Sequence, residues 1–224
     1  MQDAGFMNKI SNLYRQFGFY YLLKSFFKRF FRHLFTMNSY YLLSNCSDAE
    51  LDFERNTYIE LVDDKGLEDF IRLRVDDTKL ESQLRAFIEA GDCYALVAID
   101  GNRVAGWGYV QHSGTYTFGH SSYQLPDGVC LLKNLYVHPE FRGESVGKEI
   151  NVARTTSIPH GQTAIVFVLS DNKYAMRNLE MLGYQRALEI NDYLILGYFH
   201  FNQINRLGSE SEFAVLSRGF INHE

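Results

Sequence analysis

Between residues 129 and 157 the chain passes from an apolar stretch, Val129 to Val137, through a proline-containing turn and straight into a helix-compatible stretch, Gly147 to Ser157. The turn reads Val137-His-Pro139-Glu-Phe-Arg142-Gly143-Glu-Ser145-Val-Gly147. Glycine and serine let backbone N–H groups crowd inward, and the new helix adds its partly positive N-terminus, so phosphate oxygens can replace the water those groups would otherwise need. A turn of this composition also serves as a plain tight connection without a ligand, so the motif gains meaning only from its neighbours in the chain.

Downstream lie a second apolar strand, Ala164 to Leu169, and then Ser170-Asp171-Asn172-Lys-Tyr-Ala175-Met-Arg-Asn-Leu179-Glu-Met-Leu182-Gly183-Tyr184. This segment opens on capping residues, runs at helical period and stops at glycine. Upstream the elements alternate. Tyr58 to Val62 reads as a strand, Leu67 to Val75 and Lys79 to Ala90 as amphipathic helices, and Tyr94 to Asp100 with Val104 to His112 as a hairpin around Asp100-Gly-Asn-Arg103. Gly114 to Gly128 breaks the pattern and reads as a hairpin loop, and a final strand is expected over Tyr193 to Phe201. The fold class is α/β with a mixed sheet.

The two motifs together resemble those of the GNAT family of N-acetyltransferases. Val137, Pro139, Arg142, Gly143, Ser145 and Gly147 fall at the spacing of the family's pyrophosphate loop, and Asn172, Ala175, Gly183 and Tyr184 at that of its second motif. The resemblance spans about residues 57–200 by element order and residues 131–184 by motif.

It implies an acyl-coenzyme A N-acyltransferase fold, with acetyl-CoA as acyl donor and no metal. The backbone of Leu135, Tyr136 and Val137 would pair with the pantetheine arm, and an N–H there would polarise the thioester carbonyl. Gly143, Glu144, Ser145, Val146, Gly147 and Lys148 would surround the pyrophosphate, with Arg142 as charge partner. Arg142 could instead cap the strand or pair with Glu140. Asn172 would bond the cofactor arm or cap the following helix, a role for which Asp171 competes. The acceptor would be a primary amine of a small molecule, and Tyr116, His120 and Tyr123 in the loop are expected to shape its pocket.

The chemistry implied is direct attack of the amine on the acyl carbonyl, which needs a base for the ammonium form and gains from an acid at the thiolate. Here the chain departs from the family pattern: Lys133 stands where a glutamate is frequent and Leu179 where a tyrosine is frequent. Candidate bases are Glu60, His112 and His120, and candidate acids Tyr174 and Tyr184, with core packing the alternative for Tyr184. Catalysis would then rest on positioning and carbonyl polarisation.

At 224 residues and 46% hydrophobic, the chain can bury one sizeable core and one appendage. Cys46, Cys93 and Cys130 are widely spaced and lack a metal-ligand pattern, which suits buried thiols in a reducing, cytoplasmic compartment. The net charge of −5 argues against nucleic acid as the main partner.

That average hides an asymmetry. Residues 1–45 carry six Lys or Arg (Lys9, Arg15, Lys24, Lys28, Arg29 and Arg32) against Asp3, and 13 of the 34 aromatic residues. At helical period Phe19, Leu23, Phe26, Phe27, Phe30, Phe31, Leu34 and Phe35 fall along one stripe, with Lys24, Lys28 and Arg32 opposite. Residues 1–48 are therefore expected to form an amphipathic helical extension to a catalytic domain at 49–224. Through residues 8–43 it would make peripheral contact with an anionic membrane face or self-associate. The longest apolar run, Phe17 to Leu23, is far short of the ~20 residues that span a bilayer.

Three functions fit: an acetyltransferase acting on a small amine or amino sugar, a long-chain acyltransferase served by acyl-CoA or an acyl carrier protein, and a non-catalytic coenzyme A-binding protein.

Overall fold

The computed structural model describes residues 35–45, 57–74, 78–88, 92–118, 121–196 and 199–208. In chain order they form β1 (Phe35–Asn45), β2 (Tyr58–Val62), α1 (Leu67–Arg74), α2 (Thr78–Ile88), β3 (Cys93–Asp100), β4 (Arg103–Gln111), β5 (Thr115–Phe118), β6 (Ser121–Gln124), β7 (Val129–Val137), a 3-10 turn (Pro139–Phe141), α3 (Val146–Thr156), β8 (Thr163–Leu169), α4 (Lys173–Met181), β9 (Gln185–Ile195) and β10 (Phe199–Arg206). The chain divides into two compact units, residues 1–39 with 191–203, and residues 40–190 with 204–224.

In the larger unit, which takes residues 185–190 of β9 and 40–45 of β1, the sheet order is β9-β1-β8-β7-β4-β3-β2, and β5 and β6 pair separately. Helices and the hairpin cover the central strands on both faces, so these strands read as near-continuous apolar runs, Ala95 to Ile99 and Val129 to Leu132 among them. Alternation then sends successive side chains to different cores. Leu96, Ala98, Val110, Leu132 and Val166 pack against Val146, Ile150 and Ala153 of α3 and Met176 and Leu179 of α4. Ala95, Val97, Trp107 and Tyr109 pack against Phe70 and Ile71 of α1 and Leu84 and Ile88 of α2. Leu42, Val129, Leu131 and Ile165 pack against Tyr116, Phe118 and Tyr123 of the β5–β6 hairpin.

Three expectations change. Residues 35–45, assigned to the helical extension, form β1, which pairs antiparallel with β8 from Tyr40↔Leu169 to Asn45↔Ala164 and buries Leu42 and Leu43 completely. The alternation of Leu42 and Leu43 between two cores is a strand's, and burial outweighs the helical period that ran into Phe35. The strand expected over Tyr193 to Phe201 is instead the end of β9 and the start of β10, separated by a turn at Leu196 with φ 56°. The 114–128 loop contains the β5–β6 hairpin. The basic aromatic segment before residue 35 and the boundary at residue 48 lie outside the described residues.

In the smaller unit the rings of Tyr193 and Phe201 stack at 4.7 Å, Ser39 donates to Asn191, and His200 pairs with Asp192. Among the described residues no helix is long and apolar enough to cross a membrane.

Candidate active site

The site begins where two central strands part. Parallel β7 and β8 pair from Val129↔Thr163 to Leu132↔Val166 and no further, while β7 continues along β4 to Gly106↔Val137. On that second edge β7 carries one extra residue: Tyr109 faces Lys133 but Trp107 faces Tyr136. Asn134 takes up the bulge with φ 46°. From Lys133 onward, therefore, β7 is bent and its β8 edge has no strand partner.

Two adjoining cavities fill the gap. One, of about 540 Å³, is lined by Leu135, Tyr136 and Val137 of β7, Arg142, Gly143, Ser145 and Gly147 of the turn, and Asn172, Tyr174 and Asn178 at α4. The other, of about 460 Å³, passes between the strands. Asn151 and Arg154 of α3 and Leu179 of α4 line it on one side, and Tyr40, Tyr116, Phe118 and Phe167 on the other. Leu135, Asn151, Asn172 and Ala175 line both. Among the described residues no Asp or Glu lines either cavity.

The turn between β7 and α3 has the geometry of an anion cradle. Gly143 lies at φ 95° and Ser145, the N-cap of α3, at φ 65° without a side-chain cap bond. Helix bonding begins at Lys148 and Glu149, whose N–H groups donate to the Ser145 carbonyl at 2.9 and 3.0 Å. Among the described residues the N–H groups of Gly143, Glu144, Ser145, Val146 and Gly147 have no acceptor, which leaves five consecutive donors at a helix start. Gly147 lets α3 approach β7: a Cβ there would stand 3.3 Å from Val137 Cγ2.

Arg142 donates from Nε to the Val137 carbonyl at 3.2 Å and lines the larger cavity, while Glu140 pairs with Arg103. Asn172, not Asp171, is the N-cap of α4; its Oδ1 accepts from Ala175 N–H at 3.1 Å. Its amide NH2 has no acceptor among the described residues, at a position lining both cavities.

The candidate acids and bases are scattered. Glu60 is on β2, three strands from β7, and lines neither cavity. His112 is exposed, its N–H donating to Asp92 O at 2.9 Å. His120 lies outside the described residues. Tyr174 is exposed at the rim of the larger cavity. Tyr184 is buried with its hydroxyl 2.9 Å from Thr155 Oγ1, and burial pushes its phenol up to about 12. Tyr116 lines the smaller cavity, with Tyr123 against it at 5.7 Å.

Arg154 and Asn151 are the residues that motif spacing does not point to. Arg154 follows Ile150 by one turn on the inner face of α3 and is 2% exposed. It donates from Nη1 to the Lys133 carbonyl at 2.9 Å and from Nη2 to Asn151 Oδ1. The sequence signal is a cation set inside an apolar helical stripe.

A cradle of main-chain donors beside a strand whose free edge faces a gap can receive an anion and an extended chain. The chain belongs to the acetyltransferase (GNAT) family, whose model matches residues 56–184.

Among solved structures it is similar to a putative GNAT acetyltransferase from Novosphingobium aromaticivorans, at 9% identity over 77% of this chain and 66% of that one, TM-score 0.46. It is also similar to a GNAT acetyltransferase from Colwellia psychrerythraea, at 16% identity over 77% and 57%, TM-score 0.45. An aminoglycoside N-acetyltransferase in complex with CoA shares 19% identity over 58% of this chain and 92% of that one, TM-score 0.40. The chain spans less than two thirds of the length of the first two of these. No curated protein matches it significantly.

Proposed function

We propose that this chain is an acyl-CoA dependent N-acyltransferase that passes an acyl group, acetyl in the simplest case, directly to a primary amine of a small molecule or amino sugar. The observation that carries this reading is the run of five unpaired N–H groups, Gly143 to Gly147, beside the free edge of Leu135 to Val137. The run suits a pyrophosphate, and the edge suits the amide-bearing pantetheine arm of coenzyme A.

In the reaction the neutral amine attacks the thioester carbonyl, the C–N bond forms and the C–S bond breaks. Coenzyme A leaves as the thiolate and takes up a proton, while the nitrogen, which has shed one proton to water on leaving its ammonium form, sheds one more to water as the amide forms. A main-chain N–H of the bulged segment bonds the oxyanion, a contribution of about 3 kcal/mol for one such donor. Since no carboxylate of the described residues lines either cavity, the amine sheds its proton through water, and orientation in the gap supplies most of the acceleration.

Thermal denaturation with acetyl-CoA, coenzyme A and a long-chain acyl-CoA tests binding, followed by thiol release against an amine panel. Stabilisation plus amine-dependent thiol release is expected. Stabilisation without turnover would favour a non-catalytic coenzyme A-binding protein, which Lys133 and Leu179 in the places of a glutamate and a tyrosine also fit.

The basic aromatic segment before residue 35 suits a cytoplasmic protein held peripherally at an anionic membrane surface. Flotation with anionic liposomes, comparing the chain with a Lys24→Glu, Lys28→Glu, Arg32→Glu variant, tests this. Equal recovery of the two would remove it and leave self-association.

A further inference from the structure

Arg154 is a buried cation without an anion. The residue is 2% exposed, and its hydrogen bonds go to the carbonyls of Lys133 at 2.9 Å and Tyr109 at 3.5 Å and to Asn151 Oδ1, all neutral acceptors. Its Nε is buried with no acceptor. No Asp or Glu oxygen of the described residues lies within salt-bridge distance of it. Tyr184 is an ionisable acid close enough to interact with it, and burial keeps that phenol protonated.

Removing a guanidinium from water without a counter-charge costs several kcal/mol. A neutral donor could bond the Lys133 carbonyl without that cost. The fold nevertheless makes room for the charge: a Cβ on Gly108 would stand 3.0 Å from Cδ, Nε and Cζ of Arg154. A second cation, Lys133, supplies the main-chain oxygen that Arg154 bonds. Lys133 Nζ is bonded to Gln111 Oε1 at 3.0 Å and lies 5.0 Å above the Phe87 ring, again neutral partners. Arg154 and Lys133 both line the 460 Å³ cavity, which no acidic residue among the described residues lines. Its size is that of a small-ligand site.

We propose that the substrate held in this cavity carries a carboxylate, which pairs with the Arg154 guanidinium beside Asn151. This rests on the acyltransferase reading and names a substrate class for it. The carboxylate undergoes no bond change; it fixes the substrate while the amide forms elsewhere. It belongs either to the far end of a dicarboxylic acyl chain on coenzyme A or to an amino-acid acceptor. Guanidinium–carboxylate pairing is strong and directional, and at a buried guanidinium it discriminates sharply against neutral analogues.

The test uses calorimetric titration of the full chain. In the donor arm acetyl-CoA is compared with succinyl- and glutaryl-CoA. In the acceptor arm the coenzyme A complex is titrated with the twenty amino acids and their α-amides. The expected result is at least tenfold tighter binding of the carboxylate form in one arm, which identifies its source, and loss of that preference in Arg154→Gln with acetyl-CoA affinity kept. Equal affinities in both arms would overturn the proposal, as would a preference that survives in Arg154→Gln. Should Arg154→Gln fail to fold, the comparison in the unaltered chain decides alone. Failure of every coenzyme A form to bind would instead overturn the acyltransferase reading.

Discussion

A Cβ placed on Gly106 of β4 would stand 2.5 Å from the main-chain oxygen of Tyr136 on β7 and 3.1 Å from Val137 Cα. The strand that must present its free edge to the gap is thus pressed against its other neighbour so closely that a single methyl group has no place. Gly106→Ala is expected to cost about 3 kcal/mol, since the obstacle is backbone and cannot rotate away. Gly101→Ala is the control: Gly101 has φ 58° with nothing within 4 Å, so only backbone strain of about 1 kcal/mol applies. Urea midpoints of the two variants check the order. Equal losses would mean that β4 and β7 separate easily.

Gly143 separates strain from binding. At φ 95°, with nothing within 4 Å of a Cβ, it accepts a side chain only with backbone strain, and an aspartate there adds negative charge among the donors of the cradle. Gly143→Asp is expected to weaken coenzyme A binding at least tenfold, about 1.4 kcal/mol. Gly161→Asp carries similar strain at φ 80°, also in open space, but away from the cradle, and should leave affinity unchanged. Titration of both variants checks this; equal weakening would assign the effect to strain.

The buried phenol of Tyr184 predicts the alkaline limb of stability. Burial raises it to about 12, the Thr155 hydrogen bond and the nearby Arg154 charge opposing. An unfolded tyrosine ionises near 10, so the folded state holds its proton over a range where the unfolded chain loses it. The stability this contributes is whole below pH ~10 and is lost as pH rises towards 12. Between pH 8 and 11 the chain should lose about 1 kcal/mol more than Tyr184→Phe. Urea midpoints of the two proteins at pH 8, 10 and 11 measure it, and parallel decline would place the phenol in water.

The anion cradle was legible in sequence because its cause is local: Pro139, Gly143, Ser145 and Gly147 lie within a few residues of one another and set the backbone directly. The N-cap role of Asn172 was legible for the same reason. β1 was not. Leu43 finds Val166 across more than a hundred residues, and the aromatic run before residue 35 continues smoothly into Tyr40 and Tyr41, so local composition does not mark where the strand begins. Arg154 was hidden similarly: its acceptor on β7 and the space left by Gly108 on β4 come from strands whose juxtaposition only the folded sheet supplies. Local chemistry announces the turn of free N–H groups, whereas long-range pairing builds the cavity beside it.

Direct transfer requires that no protein thiol carry the acyl group, and the two described cysteines are poorly placed to do so. Cys93 is 5% exposed, and burial, helped by neighbouring Asp92 and opposed by Lys133, pushes its thiol up to about 12. At pH 8 about one molecule in ten thousand then holds a Cys93 thiolate. Cys130 is fully buried, its pKa also raised by burial, and its thiol donates to Gln162 Oε1 at 2.9 Å. Labelled acetyl-CoA incubated with the chain, without amine, should leave no covalent label on Cys46, Cys93 or Cys130, as read by peptide mass mapping after acid quench. Cys93→Ala should keep kcat/KM within about twofold, because a side chain that meets no substrate can change the rate only through packing. A labelled cysteine peptide, together with a burst of coenzyme A release before amine is added, would replace direct transfer by an acyl-enzyme route.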